Sequence, residues 1–231
     1  DNMKMLQRED GVFEQHDGFF NLPHIDLKSI KKSELPLYDF WAYDRIYRTD
    51  MVKQPDVLMF LFMYAQDFSR EVIKANYEYY EPICMHESSL SPSIHSVIAS
   101  EIGKHGEAAD FFGFATRLDL DDYNNNTYQG LHTTSISAAW TNIIFGFGGM
   151  RVPVGAGRAL PLRFAPSIPK KWKKLSFKVL YQGAVIAVEV ESAKAAFKTD
   201  GKAVALKIYD REYLVDGKGV VVEIPKFYVA R

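Results

Sequence analysis

Apolar residues recur at helical spacing through the first two thirds of the chain. Between Val57 and Tyr64 they cover most of a helical surface, which predicts a helix buried on most sides. Pro55 suits the first turn of that helix, where its missing N–H has no partner to lose. The same spacing predicts further helices at Tyr38–Arg48, Ser69–Glu78, Ser93–Lys104, Ala108–Leu118 and Thr133–Phe147. The loops between them hold most of the Asn, Gly and His, so we expect the chemistry to lie there.

Beyond Arg151 the helical spacing gives way to alternation. A linker is indicated by Pro153, Gly155, Gly157, Pro161 and Pro166. Period-two runs then predict strands at Leu175–Tyr181, Ala184–Val190, Ala203–Ile208 and Val220–Ile224. Hairpin turns are predicted between the runs at Gln182-Gly183, Asp200-Gly201 and Asp216-Gly217.

The order of these elements predicts an α+β protein with two domains. Successive helices with no strands between them indicate an all-α layer, and the antiparallel strands with one polar face that follow indicate a small sandwich. We place the boundary near Leu160. Residues 1–159 are then a helical domain, and residues 160–231 are a small antiparallel β-sandwich.

Composition narrows the possible partners. The 231 residues are 47% hydrophobic and 25% charged, as in ordinary globular proteins. A net charge of −1 creates no chain-wide electrostatic field that would attract nucleic acid or an acidic membrane surface. The single cysteine, Cys84, lies between two apolar residues and is predicted to be buried, and no apolar run is long enough for a bilayer span or a signal peptide. We therefore expect a cytoplasmic protein with neutral partners.

Two loop segments concentrate hydrogen-bond donors. The first is HESSLSPSIHS, which contains Ser88 and Ser89, and the second is LDLDDYNNNTYQGLHTTS, which contains His132 and Thr133. Hydroxyls and an imidazole N–H can each donate to phosphate oxygens, so this set indicates chemistry with inorganic phosphate. The alternative for the two serines is a helix N-cap or turn.

These segments, with KQPDV at Lys53–Val57, FEQHDGFFNLPHIDL at Phe13–Leu27 and FGFGGMR at Phe145–Arg151, resemble glycoside hydrolase family 65, and within it the maltose phosphorylases. The resemblance extends more loosely to KIYDREYLV at Lys207–Val215. It implies that the helices are the last part of an (α/α)6 toroid, and that the strands form a jelly-roll-like C-terminal domain.

The resemblance also implies roles for individual residues. Phosphate binding falls on Ser88, Ser89, His132 and Thr133. Sugar binding falls on Lys53 and Gln54, followed by Pro55 where the family usually has alanine.

The activity implied is inverting phosphorolysis of maltose to glucose and β-glucose 1-phosphate, in which phosphate replaces the water of an inverting hydrolase. Inorganic phosphate is the co-substrate, and neither an organic cofactor nor a metal is expected. Alternatives are a phosphorylase of trehalose or kojibiose, or an inactive fragment or subunit that completes a partner's site.

In this family the general-acid glutamate lies upstream of the segment matching Phe13–Leu27, so we expect no catalytic acid in this chain. We therefore expect a C-terminal portion that is inactive alone and needs a complementary N-terminal polypeptide, with the complete enzyme a homodimer.

Other polar residues are predicted to be structural. Asp119, Asp121 and Asp122 could be an acid/base set, but Asx turns and an Arg117–carboxylate pair explain them better. His86 and His95 have no metal-ligand spacing with each other or with a nearby cysteine. An ionised Glu87 would repel a phosphate dianion unless it points away or is paired, so it is not expected to be catalytic.

Overall fold

The computed structural model describes residues 5–154 and 161–230, and its first part is helical. The α-helices are α1 Leu37–Phe40, α2 Tyr43–Tyr47, α3 Asp56–Met63, α4 Arg70–Tyr80, α5 Ser91–Glu101, α6 His105–Arg117 and α7 Thr133–Thr141. Within the described residues, no helix combines the length and the apolarity that crossing a membrane requires.

Two predicted helices differ from the structure. Tyr38–Arg48 is broken between α1 and α2, because Trp41 is extended, with φ −115° and ψ 130°. The Arg45 guanidinium lies 3.5 Å from the centroid of the Trp41 ring, which stabilises the break. The helix predicted to end at Phe147 is α-helical only to Thr141 and continues as a π-helix over Asn142–Phe147.

Helix α5 is the centre of the helical part. Every residue from Ser91 to Glu101 is buried, which explains why its sequence has no polar face. Its small hydroxyls satisfy neighbouring backbone: Ser96 Oγ donates to Ala108 O in α6 at 2.7 Å, and Ser100 Oγ donates to Gly146 O in the π-helix at 3.2 Å. These bonds let the helices approach closely without leaving the two hydroxyls unpaired.

The second part consists of two packed sheets. The strands are β1 Leu162–Phe164, β2 Lys174–Tyr181, β3 Ala184–Glu191, β4 Lys194–Thr199, β5 Val204–Ile208, β6 Arg211–Val215 and β7 Val220–Glu223. One sheet has the order β2-β3-β4-β7 and is antiparallel, and the other has the order β1-β5-β6, in which β1 pairs with β5 in parallel. Phe164 of β1 packs against Phe197 of β4 with ring centroids 5.3 Å apart, which joins the two sheets.

Two of the three predicted hairpin turns are wrong. Gln182-Gly183 does join the paired strands β2 and β3. Asp200-Gly201 and Asp216-Gly217 instead connect β4 to β5 and β6 to β7, and each of these pairs lies in different sheets. Two further tight hairpins are present: β3–β4 turns at Ser192-Ala193, and β5–β6 turns at Tyr209-Asp210, where Tyr209 has φ +51°.

The helical part and the sheets share one core. Trp172 packs edge-on against Phe112 and Phe147, with ring centroids 5.7 and 5.0 Å away. Buried Glu101 pairs with Arg151 and Arg163, and the last two residues also exchange backbone hydrogen bonds. The boundary predicted near Leu160, with Gly155 and Gly157 of the linker, lies outside the described residues.

Candidate functional site

The two donor-rich loops lie at the same end of the helical part. His86, just before α5, packs against Phe114 near the C-terminal end of α6. Ser135, at the start of α7, donates to Ala115 O at that same end of α6 at 2.6 Å. The N-termini of α5 and α7 therefore lie at the same end of α6. A direct contact joins the loops, because Asn124 Nδ2 donates to Glu87 O at 3.2 Å.

Ser88 and Ser89 form the turn that leads into α5. Ser88 is buried, its Oγ accepts the Leu90 N–H at 3.3 Å, and its carbonyl accepts the Ser91 N–H. The turn-forming role considered from the sequence is therefore present. It does not use the Ser88 hydroxyl proton, which remains available to an acceptor. Ser89 is half-buried.

His132 is held by a carboxylate. Its backbone N–H donates to Asp119 Oδ2 at 2.8 Å, and its Nδ1 lies 2.5 Å from Asp119 Oδ1. Desolvation raises the pKa of Asp119, but the hydrogen bonds from the side chain and backbone of His132 outweigh it, so the pKa is lowered overall. An ionised Asp119 fixes the proton on Nδ1 and leaves Nε2 for other partners. Thr133 follows as the exposed first residue of α7.

Lys53 and Gln54 line a cleft of about 470 Å³, together with His16, Tyr43 and other residues. Lys53 Nζ donates to the Tyr43 hydroxyl at 2.9 Å and lies 5.0 Å from the centroid of that ring. A cleft that combines aromatic faces with a few polar groups suits a small polar ligand such as a sugar.

Glu87, directly before Ser88, contacts the start of α1. Its Oε1 accepts the Leu37 N–H at 2.5 Å. Burial raises the pKa of Glu87, while the Leu37 hydrogen bond and the nearby charge of Lys53 act in the opposite direction. One carboxylate oxygen is thus engaged with the start of α1, whereas Oε2 is buried without a hydrogen-bond partner among the described residues.

Comparison with known proteins decides the family. Residues 1–141 match the glycosyl hydrolase family 65 central catalytic domain, and residues 158–215 match the family 65 C-terminal domain. The chain belongs to glycosyl hydrolase family 65. The resemblance inferred from the loop motifs is confirmed, and so is the arrangement of a helical part followed by a β domain.

Its family 65 relatives include several phosphorylases. The chain is 38% identical to the α,α-trehalose phosphorylase of Thermoanaerobacter brockii, covering 94% of this chain and 28% of that protein. It is 36% identical to the maltose phosphorylase of Bacillus subtilis, covering 90% and 27%. A solved structure described as a putative kojibiose phosphorylase from the human microbiome superposes with a TM-score of 0.85 at 47% identity, covering 96% and 30%. The chain therefore spans less than a third of the length of each.

The aspartate-rich loop of this family 65 chain is held largely by hydrogen bonds within the loop, as predicted. Arg117 pairs with both Asp121 oxygens at 2.5 and 2.8 Å, and Asp122 Oδ1 accepts the Thr127 N–H at 3.0 Å. Asp119 differs, because its partner is His132. Sequence reasoning missed this pair, since the two residues are 13 positions apart.

Cys84, His86 and His95 come together, contrary to the interpretation of their spacing. One ligand atom from each lies within 4.8 Å of the others. Cys84 is buried as predicted, and burial raises its thiol pKa to about 12. The spacing gave no metal-ligand signature because the loop turns between His86 and His95, and His86 has φ +55°.

Proposed function

We propose that the chain provides the phosphate site and part of the sugar site of a family 65 disaccharide phosphorylase. The observation that carries this proposal is that the N-termini of α5 and α7 lie at the same end of α6, on adjoining loops that hold Ser88, Ser89, His132 and Thr133. Helix N-termini favour anions, and the side chains there add donors of the kind phosphate needs.

The chemistry of the site suits phosphate as a nucleophile. In inverting phosphorolysis a phosphate oxygen attacks the anomeric carbon while an acid on the opposite face protonates the leaving oxygen. The phosphate dianion is positioned by hydroxyls, an imidazole and helix N-termini. It remains more nucleophilic than it would if cationic side chains bound it tightly. Asp119 orients His132, so that Nε2 is the ring atom offered to phosphate. No organic cofactor takes part in this scheme.

The sugar partner is an α-glucosyl disaccharide. Lys53 and Gln54 bind the glucosyl unit in the cleft, where Tyr43 and Tyr47 are stacked with ring centroids 6.0 Å apart. The loop motifs favour maltose, and the relatives named for trehalose and kojibiose keep those two sugars as alternatives.

A complementary polypeptide segment supplies the general acid and the rest of the toroid in this proposal. Helix α7 exposes Ile136 and Trp140, and the loop before it exposes Leu131. Exposed apolar surface of this kind marks an interface. General acid catalysis contributes about 10²–10⁴-fold, so the 231-residue chain alone should have no useful rate. The domain boundary lies near residue 160, and the complete enzyme is a homodimer, in this proposal.

Steady-state kinetics of the enzyme that contains this chain test the phosphate site. Replacing His132→Ala should raise the KM for phosphate about 10-fold or more, because a hydrogen bond to a charged group contributes about 1.5–3 kcal/mol. The KM for the disaccharide should change little. His24→Ala is the control, since His24 is an exposed histidine that also pairs with an aspartate, Asp50. An unchanged phosphate KM in His132→Ala would refute the assignment.

A further inference from the structure

The Cys84–His86–His95 cluster lies in a buried part of the helical core. Cys84 and His95 are 3% and 0% exposed, and the two imidazole rings meet edge to face with centroids 4.6 Å apart. Phe111 covers both rings, with centroids 5.0 Å from His86 and 5.2 Å from His95. Polar groups enclosed in this way need partners, because water cannot satisfy them freely.

Hydrogen bonding fixes which nitrogen of each imidazole carries the proton. His95 Nδ1 lies 2.8 Å from Ser91 O, and a carbonyl only accepts, so the proton is on Nδ1. His86 Nδ1 lies 3.2 Å from Ser91 Oγ, whose own proton is donated to Ser88 O. The His86 proton is therefore also on Nδ1. Both Nε2 atoms then carry a lone pair.

Neither lone pair has a donor in the part of the chain that the structure describes. The Nε2 atoms of His86 and His95 are both buried without a hydrogen-bond partner within residues 5–154 and 161–230. The Cys84 thiol has one proton and can satisfy at most one of them. Burial lowers the pKa of His86 to about 3 and that of His95 to about 4, so both rings are neutral at pH 7. A cation held by the Cys84 sulfur and both nitrogens would satisfy the two lone pairs at once.

We propose that Cys84, His86 and His95 bind a structural Zn²⁺ ion. A thiolate with two neutral imidazoles is a borderline-soft ligand set that favours Zn²⁺ over the oxygen-preferring Mg²⁺ and Ca²⁺. Metal-bound histidines characteristically donate their other ring N–H to a carbonyl or hydroxyl, as both do to Ser91. On binding, the Cys84 proton leaves to solvent and the sulfur binds as thiolate.

A bound ion would draw the three ligand atoms closer together. Tetrahedral zinc with bonds of about 2.0–2.3 Å places its ligand atoms about 3.3–3.8 Å apart. One nitrogen of each ring and the Cys84 sulfur lie within 4.8 Å of one another, and shifts of up to about 0.8 Å in each side chain would bring them to these separations. A water molecule would complete the tetrahedron. The ion would hold the loop that ends in Ser88 against α5, and the proposal stands whether or not that loop binds phosphate.

Cobalt spectroscopy tests the site directly. The 231-residue chain is freed of metal with a chelator and titrated with Co²⁺. One equivalent should produce a thiolate-to-cobalt charge-transfer band, and Zn²⁺ should abolish it by displacement. Cys84 is the one cysteine in the sequence, so the band identifies its sulfur. The variant Cys84→Ser should lack the band, and the control His24→Gln should keep it.

Thermal unfolding provides the second measurement. Zn²⁺ should raise the Tm of the wild type and of His24→Gln but not that of Cys84→Ser, with circular dichroism confirming that each is folded. The proposal is overturned if the folded wild type shows neither the band nor the shift in Tm, since water then satisfies the imidazoles. It is also overturned if Cys84→Ser keeps the band, or if Cu(I) binds and Zn²⁺ and Co²⁺ do not.

Discussion

Substitution of Glu101 should destabilise the junction between the helical part and the sheets. Its two carboxylate oxygens lie 2.9 Å from Arg151 Nη2 and 2.6 Å from Arg163 Nη2. All three side chains are nearly removed from solvent, with 5%, 3% and 11% of their surface exposed. In Glu101→Gln the shape is kept and the negative charge is lost. Two buried guanidinium ions then lose the carboxylate that pairs with both of them.

The cost follows from this burial. Removing one partner of a buried ion pair destabilises proteins by about 3–5 kcal/mol, a large part of the roughly 5–15 kcal/mol that holds a domain folded. The control is Glu78→Gln, because Lys74 and Glu78 are half-exposed and 3.8 Å apart. An exposed pair of this kind contributes at most about 1 kcal/mol. Urea unfolding at pH 7 measures both, and equal unfolding free energies for the two variants would refute the reasoning.

The pH dependence of the unfolding free energy tests Glu101 independently. Desolvation raises the pKa of Glu101, but Arg151 and Arg163 outweigh it and hold the pKa below its ordinary value of 4.5. A carboxyl with a lowered pKa in the folded state contributes stability above its unfolded pKa. That contribution is lost as the pH falls from 4.5 toward the folded value. Unfolding free energies measured between pH 7 and pH 3 should therefore decline less steeply in Glu101→Gln than in the wild type.

Three further substitutions test other parts of the account. Gly149→Ala should lower the unfolding free energy by about 1–3 kcal/mol or more, because the added Cβ would lie 2.2 Å from a carbonyl oxygen at φ +61°. Its control is Gly106→Ala, within α6 and without atoms in the way, which should be neutral or stabilising in the same urea experiment. Asp119→Asn should raise the phosphate KM of the enzyme and leave the disaccharide KM unchanged, whereas Asp121→Asn, which removes only the exposed Arg pair, should change neither. Trp140→Ser should leave the unfolding free energy almost unchanged, because the side chain is exposed, but weaken association with a complementary polypeptide in native mass spectrometry.

The fold was predictable where local pattern and packing agree. The helices α3 to α6 follow the apolar spacing, since each buries a face against its neighbours. The break at Trp41 was not predictable, because it depends on a contact with Arg45 and not on a Pro or Gly. Strand β4 was missed because Ala195 and Ala196 have little β propensity, and its place in the sheet comes from pairing with β3.

The candidate site divides in the same way. Ser88 and His132 could be named from the sequence because they lie in short motifs. The contact between Asp119 and His132, and the meeting of Cys84 with His86 and His95, arise where loops fold back on helices. No spacing rule along the chain encodes such through-space pairs, so only coordinates reveal them.

The products formed from a disaccharide and inorganic phosphate distinguish phosphorolysis from hydrolysis. The enzyme that contains this chain would be incubated with maltose, trehalose or kojibiose, and the products followed by proton and phosphorus NMR. Phosphorolysis predicts equal amounts of glucose and β-glucose 1-phosphate from one of these sugars, with no reaction when phosphate is omitted. Release of glucose at the same rate with and without phosphate, and without a sugar phosphate, would contradict it.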